Sequence, residues 1–333
     1  MDSFRALRIA NDDGRIHADL ITATLDGLSA GEVVIAAAYS SVNYKDALAA
    51  TGTGKILKTF PLIGGIDVSG TVMASQDARF KEGDAVLVTG YDLGVGSDGG
   101  FAGIVRAPAD WVVPMPPELS LRDAMIYGTA GFTAGLAVQR LEQNGLRPGA
   151  GAVAVTGATG GVGSIAVGAL ARLGYEVTAI TGKDDAHGYL RAIGAARVLP
   201  RTQIEFGTRP LEKATWAGVV DAAGGELLGW LIRTAAPWAG VASTGLTGGT
   251  NLSLTVLPFI LRGVSLIGVD SVTCPMDLRR TVWQRLATDM RPAALDTVGH
   301  DITLDDLPAA FDTLLKGQAR GRFVVDLSTA NRR

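Results

Sequence analysis

Cysteine, histidine and an excess of charge are all scarce in this sequence, and each shortage excludes a class of protein. Cys274 is the only cysteine among 333 residues, so no intrachain disulfide can form. The three histidines, His17, His187 and His300, are isolated, and neither they nor the cysteine have the spacing of a zinc site. A net charge of −3 offers no basic stripe for nucleic acid. We therefore expect neither a metal nor a nucleic-acid partner.

Long apolar runs are also missing. No stretch of about 18 apolar residues suggests a membrane span, and residues 1–5 contain no apolar signal core. We therefore expect a cytoplasmic protein without a membrane partner. Hydrophobic residues still make up 47% of the chain and charged residues 19%, which argues for a large core and against disorder. A length of 333 residues favours two domains.

The stretch 153–167 combines an apolar run of strand length, a cluster of glycines and a helical apolar pattern. Glycines allow a tight turn and let a pyrophosphate approach without meeting a Cβ, and the helix N-terminus then attracts the anion. The fingerprint G-x-G-x-x-G departs from its strict form only at the first position, where Ala158 precedes Gly160 and Gly163. Strand, turn and helix together predict a dinucleotide site.

The patterns along the chain change in character near residue 125. Short strands and turns over 1–125 predict a β-rich, barrel-like domain. Strands then alternate with helices over 126–268, which predicts βαβ units and a parallel, doubly wound sheet. The chain is expected to return to the first domain over 269–333. The predicted fold class is α/β, with a catalytic domain over 1–125 and 269–333 and a nucleotide-binding domain over 126–268.

The end of the second strand of the βαβ region bears on the choice of cofactor. An acidic residue here would hold the ribose 2′-hydroxyl of NAD, but Thr181, Gly182 and Lys183 occupy the place. A hydroxyl, a glycine and a cation suit a 2′-phosphate, and Arg201 after the third strand offers a second charge. Aspartates follow at 184–185, so a small shift of register would favour NAD instead. The prediction is NADPH.

The lack of zinc ligands also restricts the substrate. Exchange between an alcohol and a ketone in zinc enzymes needs a Lewis acid on the oxygen. An activated carbon–carbon double bond needs only a hydrogen-bond donor for the enone or thioester oxygen and a source of protons. The missing zinc ligands therefore restrict the hydride acceptor, and such a double bond is compatible with that restriction.

Long contiguous motifs extend over nearly the whole chain. They occupy residues 41–48, 51–56, 60–61, 65–72, 128–134, 155–164, 194–201, 258–262 and 268–271. On these motifs the chain resembles the medium-chain dehydrogenases/reductases of the zinc-free quinone oxidoreductase type, and most closely their acrylyl-CoA reductase subgroup. The resemblance implies a GroES-like catalytic domain and a Rossmann domain that binds NADPH.

Carried over position by position, the resemblance also implies the residues that contact the cofactor. These are Tyr44, Thr159, Gly160, Gly161, Val162, Thr181, Gly182, Lys183, Arg201, Leu246, Ile260, Ser271 and Gln318. Lys183 stands where arginine is common in the family, so the charge is kept while the planar fork is lost.

The implied reaction passes hydride from nicotinamide C4 to the β-carbon of an α,β-unsaturated thioester. Tyr44 is the candidate proton donor, and Asn43 is a candidate orienting donor. The first hypothesis is NADPH-dependent reduction of acryloyl-CoA, or of a similar short enoyl-CoA, to the saturated acyl-CoA. An NADPH:quinone or enone oxidoreductase is the alternative, and an NADPH-binding sensor with negligible turnover is a further one.

The segment 254–261 is more apolar than a solvent-facing segment should be, and the predicted strand at 264–269 offers a sheet edge. Unpaired edges invite pairing with a second copy about a two-fold axis. The sequence therefore predicts a homodimer.

Overall fold

A computed structural model describes residues 3–330 of the chain. The strands are β1 (Phe4–Asp12), β2 (Arg15–Ala23), β3 (Val33–Ser41), β4 (Leu62–Ile63), β5 (Asp67–Ser75), β6 (Ala85–Thr89), β7 (Ile104–Ala107), β8 (Val113–Pro114), β9 (Val153–Val155), β10 (Val177–Thr181), β11 (Arg197–Pro200), β12 (Trp216–Asp221), β13 (Ala235–Ser243), β14 (Ser265–Gly268), β15 (Gly299–Ile302) and β16 (Arg322–Asp326). The α-helices are α1 (Tyr44–Thr51), α2 (Leu121–Gln143), α3 (Gly161–Arg172), α4 (His187–Ala192), α5 (Gly225–Arg233), α6 (Leu257–Arg262), α7 (Met276–Ala287), α8 (Leu295–Val298) and α9 (Leu307–Leu315).

The chain forms two compact units, residues 3–129 with 299–330 and residues 130–298. The first unit is rich in β structure. A seven-stranded sheet has the order β15-β16-β3-β5-β6-β8, with β7 also paired to β3, and a smaller sheet has the order β2-β1-β4. In β3 the alternate residues Val33, Ile35 and Ala37 are buried, as expected for a strand with one face on a core. The β-rich unit that the sequence predicted is confirmed.

The second unit contains a six-stranded parallel sheet in the order β11-β10-β9-β12-β13-β14. Numbered along the chain from β9, this is the order 3-2-1-4-5-6 of the doubly wound dinucleotide-binding folds. The strand order reverses between β9 and β12, so a crevice opens outside their carboxyl ends. The predicted parallel sheet is therefore confirmed, and the glycine turn lies at its reversal point.

The return of the chain to the first unit differs from the prediction. Residues 269–298, assigned from the sequence to the catalytic domain, belong by their contacts to the second unit. The reason is that α7 packs on the second half of α2. The Trp283 ring stacks on Phe132 with centroids 5.8 Å apart, and the Arg279 guanidinium lies 4.7 Å from the centre of the same ring. Arg285 Nη1 also donates a hydrogen bond to Glu142 at 2.5 Å.

Within residues 3–330, no helix combines the length and apolarity that crossing a bilayer would require.

Candidate functional site

The glycine turn joins β9 to α3 at the carboxyl edge of the parallel sheet. Gly157 adopts a φ of +55°, and Gly160 directly precedes α3. A Cβ on Gly163 would lie 2.6 Å from the Cα of Ala158, so the first turn of the helix can close on the glycine turn only with glycine here. The predicted contacts Thr159, Gly160, Gly161 and Val162 therefore lie together at a helix N-terminus. This arrangement fits a pyrophosphate, because the first amide groups of a helix have no partner within the helix.

The predicted 2′-phosphate residues meet at the ends of β10 and β11. These strands pair in parallel with Thr181 opposite Pro200, which places Arg201 next to the end of β10. Thr181 Oγ1 accepts a hydrogen bond of 3.0 Å from the Lys183 amide. A Cβ on Gly182 would meet only the Nε of Arg201, at 3.9 Å, so the space above this glycine is open and bounded by a guanidinium. A hydroxyl, two cations and an open glycine fit a phosphate group.

The other predicted contacts of the second unit occupy separate elements. Leu246 lies on the loop that follows β13, which we call the β13 loop (residues 244–249), and its side chain is 61% exposed. Ile260 lies in α6 and is 68% exposed. Ser271 follows β14, and its carbonyl accepts a hydrogen bond of 2.9 Å from the buried Arg279. Arg279 thus holds the backbone at Ser271.

Asn43 and Tyr44 lie at the start of α1 in the first unit. The backbone amide of Asn43 donates to Asp46 Oδ2 at 2.8 Å, a contact that caps the start of the helix. The Asn43 side chain is buried, with Nδ2 donating to Asp67 Oδ2 at 2.7 Å and Oδ1 accepting from Arg322 at 3.0 Å. Tyr44 is 44% exposed. The remaining predicted contact in this unit, Gln318, is exposed after α9.

Buried charges surround Asn43. Asp67 is completely buried and accepts hydrogen bonds from the Ser41 hydroxyl at 2.6 Å and from the Thr129 hydroxyl at 2.5 Å. The guanidinium of Arg322 lies 3.6 Å from Asp67 and donates to the Ser41 hydroxyl at 2.7 Å. Burial, and next the charge of Asp67, raise the pKa of Asp46 to about 7. This network holds the carboxamide of Asn43 in one orientation.

Sequence reasoning did not single out Asp67, Arg322 or Asp221. Asp67 begins β5 and Asp221 ends β12, and both side chains are buried. A charged side chain is costly to bury without partners. For Asp221, which directly follows two valines, an aspartate at the end of an apolar strand was therefore the available signal.

Comparison with known proteins now places the chain in a family. Residues 29–117 match the model of the alcohol dehydrogenase GroES-like domain, and residues 161–288 match that of the zinc-binding dehydrogenases. The chain is 48% identical to YhfP of Bacillus subtilis, named as a quinone oxidoreductase, over 97% of the chain and 99% of the relative. It is also 46% identical to the acrylyl-CoA reductase AcuI of Ruegeria pomeroyi, over 98% and 99% of the two chains. The chain belongs to the zinc-free medium-chain dehydrogenases/reductases.

Solved structures of the family agree with this assignment. The yhdH oxidoreductase of Salmonella enterica, in complex with NADP, has a TM-score of 0.95 and 46% identity over 97% of this chain and 100% of that one. The YhfP structure, with NAD bound, has a TM-score of 0.96 and 46% identity over 98% and 100% of the chains. The predicted fold class, a GroES-like domain and a Rossmann domain, is confirmed, and the chain is an oxidoreductase of this family. Within residues 3–330, no cluster of three or more histidine, cysteine, aspartate or glutamate side chains is arranged for a metal ion.

Proposed function

We propose that this protein uses NADPH to reduce the carbon–carbon double bond of acryloyl-CoA, or of a similar short enoyl-CoA, to the saturated acyl-CoA. The observation that carries the proposal is the similarity to the acrylyl-CoA reductase AcuI, which is 46% identical over 98% of this chain and 99% of that one. The similarity extends through both units, so it includes the parts that would hold the cofactor and the parts that would act on the substrate.

The cofactor we assign is NADPH, bound at the contacts carried over from the family. The convergence of Thr181, Lys183 and Arg201 at the ends of β10 and β11 supports a 2′-phosphate. The yhdH structure contains NADP, whereas the YhfP structure contains NAD, so a relative alone does not decide the preference. The two cations of this chain favour the phosphorylated form, because charge-assisted hydrogen bonds to phosphate are the stronger ones.

NADPH, when bound, supplies a hydride to the β-carbon of the unsaturated thioester, whose oxygen then gains negative charge. We assign Asn43 as an orienting donor for that oxygen, because it directly precedes Tyr44 at the start of α1 and its carboxamide is a hydrogen-bond donor. Tyr44 is the candidate that delivers a proton to the α-carbon, since it follows Asn43 directly and is 44% exposed. The Asp67 and Arg322 network keeps the Asn43 carboxamide from rotating.

A quinone or enone reductase is the second candidate. It is supported by the similarity to YhfP, which is 48% identical over 97% of this chain and is named as a quinone oxidoreductase. Both reactions begin with the same hydride donor and differ in the acceptor.

Steady-state oxidation of NADPH against acryloyl-CoA, crotonyl-CoA and a benzoquinone, measured side by side, tests the proposal. We expect kcat/KM for acryloyl-CoA to exceed that for the benzoquinone by at least about a hundredfold, a difference of about 2.7 kcal/mol in transition-state binding. A benzoquinone turned over as well as acryloyl-CoA, or better, would support the second candidate instead.

We further propose that the protein is a cytoplasmic homodimer. The edge strand β14 and the helix α6 present exposed apolar side chains at Leu266, Ile260 and Leu261. Unpaired edges and exposed apolar surface favour association with a second copy.

The cytoplasmic location is supported by the chemistry of the reactants, because NADPH and CoA thioesters are charged molecules that do not cross a bilayer unaided. Fractionation of cells with an antibody against the protein tests the location.

A further inference from the structure

Two loops at the carboxyl edge of the parallel sheet contact each other through their backbones. One is the β13 loop, and the other, which we call the β12 loop (residues 222–224), joins β12 to α5. The Gly248 amide donates to the Ala223 carbonyl at 2.7 Å. A Cβ on Gly224 would lie 2.6 Å from the Gly249 carbonyl oxygen, and the φ of Gly224 is +73°. The loops are therefore packed too closely for side chains at their contact.

Asp221, the last residue of β12, holds both loops. Its side chain is completely buried. One carboxylate oxygen, Oδ2, accepts from the Gly224 amide at 2.8 Å and so fixes the β12 loop. The backbone carbonyl of Asp221 accepts from the Thr244 amide at 2.7 Å and from its hydroxyl at 2.9 Å, which fixes the start of the β13 loop. Burial raises the pKa of this carboxyl, so the protein keeps it here against a desolvation penalty.

Thr156 connects the same aspartate to the glycine turn. It is completely buried and stands directly between β9 and Gly157. Its hydroxyl donates to Asp221 Oδ1 at 2.6 Å and accepts from the Ala222 amide at 2.9 Å. The carboxylate of Asp221 thus joins the glycine turn to the β12 loop, and the backbone carbonyl of the same residue binds the start of the β13 loop.

The order of the strands gives these loops a place along a dinucleotide. A dinucleotide lies across the reversal point of such a sheet, here between β9 and β12. The residues that suit the 2′-phosphate lie at the end of β10 and directly after β11, on one side of that point. They mark the place of the adenosine half of the dinucleotide. The β12 and β13 loops lie on the other side.

We propose that Asp221 is a positioning residue that builds the surface for the nicotinamide half of the cofactor, by holding the β12 loop, the β13 loop and the glycine turn as one preformed unit. The inference rests on the proposed use of NADPH. Pre-organised loops lower the entropy cost of binding, since they are not ordered anew by the ligand. Leu246, the exposed leucine of the β13 loop, is held at this surface through the same contacts.

Binding of two ligands to the full-length protein by isothermal titration calorimetry tests the proposal. NADPH probes the whole dinucleotide site, whereas 2′,5′-ADP probes only the adenosine half. Asp221→Asn keeps the shape but presents an amino group to either the Thr156 hydroxyl or the Gly224 amide. We expect its Kd for NADPH to rise at least about tenfold, equivalent to about 1.4 kcal/mol, while the Kd for 2′,5′-ADP stays within about twofold.

Thr156→Val provides a milder variant in case Asp221→Asn does not fold, and Thr178→Val is its matched control. Thr178 is also a buried threonine of the same sheet, but it lies on β10 and takes no part in the hydrogen bonds of the Asp221 carboxylate. We expect Thr156→Val to raise the Kd for NADPH at least about threefold and to leave the Kd for 2′,5′-ADP unchanged. Thr178→Val should change neither Kd. Equal weakening of both ligands, or no weakening of NADPH in Thr156→Val, overturns the proposal.

The same titration keeps the two hypotheses apart, because no acceptor is present. If the wild-type protein binds NADPH but does not reduce acryloyl-CoA, the proposed substrate is wrong, whereas the proposed role of Asp221 is unaffected. A wild-type protein that binds 2′,5′-ADP and NADPH with equal affinity lacks a nicotinamide subsite and contradicts the positioning role.

Discussion

Tyr44 begins α1 with a side chain that is 44% exposed, and its ring and its hydroxyl can be tested separately. Tyr44→Phe keeps the ring, so we expect the Kd for NADPH to change little. General acid catalysis contributes about 10²–10⁴-fold, so kcat for acryloyl-CoA should fall at least a hundredfold. A quinone, which can take protons from water after reduction, should lose less activity. Stopped-flow and steady-state assays of both acceptors measure the effect.

An acryloyl-CoA turnover that stays within about threefold of wild type in Tyr44→Phe would exclude this hydroxyl as the acid, because that change is far below the usual range. Solvent or a ribose hydroxyl would then be the better candidate.

Lys183 lies two residues after Thr181, whose hydroxyl accepts its amide hydrogen. Lys183→Ala should raise the Kd for NADPH about tenfold, since a hydrogen bond to a charged group contributes roughly 1.5–3 kcal/mol. The Kd for NADH should be nearly unchanged. Fluorescence titration with both nucleotides measures this, and Lys213→Ala, an exposed lysine of the same unit, is the control. Equal losses for NADPH and NADH would mean that Lys183 does not hold the 2′-phosphate.

Asp46 should make the stability of the protein depend on pH. Its carboxyl is buried, and its pKa is raised to about 7, whereas an unfolded aspartate titrates near about 3.9. The folded protein therefore binds more protons than the unfolded chain between these values, and the free energy of unfolding falls as the pH rises through that window. The loss ends only when the pH is well above the folded-state pKa of about 7 and the buried carboxyl is fully ionised.

Asp46→Asn removes this titration, so its free energy of unfolding relative to wild type should rise as the pH increases from 4 to 8. Urea unfolding at several pH values in that range measures the difference. Asp312→Asn, at a side chain that is 60% exposed, is the control and should show no such trend. A constant difference between Asp46→Asn and wild type would contradict the raised pKa.

At the scale of elements, the helix α2 contains a sharp kink. Gly128 has φ +50° and ψ −156°, outside the helical range, directly before Thr129, which donates to Asp67. A Cβ at this position would lie 2.5 Å from Asp67 Oδ2 and 2.6 Å from the Arg322 Nη2. The kink therefore lets the helix backbone approach the buried ion pair, and only glycine permits it.

Gly128→Ala should lower the free energy of unfolding by at least about 3 kcal/mol, because backbone strain and overpacking add. Gly145→Ala is the control, since Gly145 also has a positive φ (+100°) but no atom within 4 Å of the added Cβ. Its cost should be only about 1–2 kcal/mol, from strain alone. Urea denaturation of both variants separates the cost of overpacking from that of backbone strain. An equal fall in the free energy of unfolding for both would show that the close approach at Gly128 is unimportant.

At the scale of the whole molecule, the edge strand β14 governs the proposed assembly. Leu266→Glu puts a charge on that edge and should convert a dimer to a monomer at micromolar concentration. Leu20→Glu is a matched control, because Leu20 lies on the edge strand β2 and is 37% exposed, against 40% for Leu266. Sedimentation velocity measures both. A monomeric wild type, or a Leu266→Glu variant that stays dimeric, would exclude this interface.

Much of the parallel unit could be predicted from the sequence, because its signals are local. The glycine turn, the strand that precedes it and the helix that follows occupy one short window, and their geometry depends on neighbouring residues. The same holds for Thr181 and Lys183, whose place at the end of β10 followed from counting along the chain. Short segments carry enough information for such elements, because period and turn chemistry act over a few residues.

The helix α1 was missed for a physical reason. Its sequence, Tyr44–Thr51, contains three alanines and the buried Asp46, so it has no strong apolar stripe. It is stabilised by packing on α9, which lies more than 250 residues later in the chain. The surroundings of the two candidate catalytic residues thus depended on contacts that no local pattern reveals.

The sequence by itself determined the family, the glycine turn, the parallel sheet and the cations suited to a 2′-phosphate, since each is encoded by adjacent residues. Only the tertiary structure decided that Asp67 pairs with Arg322, that Asp221 joins three loops, and that α7 packs with α2 rather than with the first unit. These decisions concern residues far apart in the chain. Whether a buried carboxylate is tolerated depends on which partners the fold brings to it, and that is settled only when the chain has closed around it.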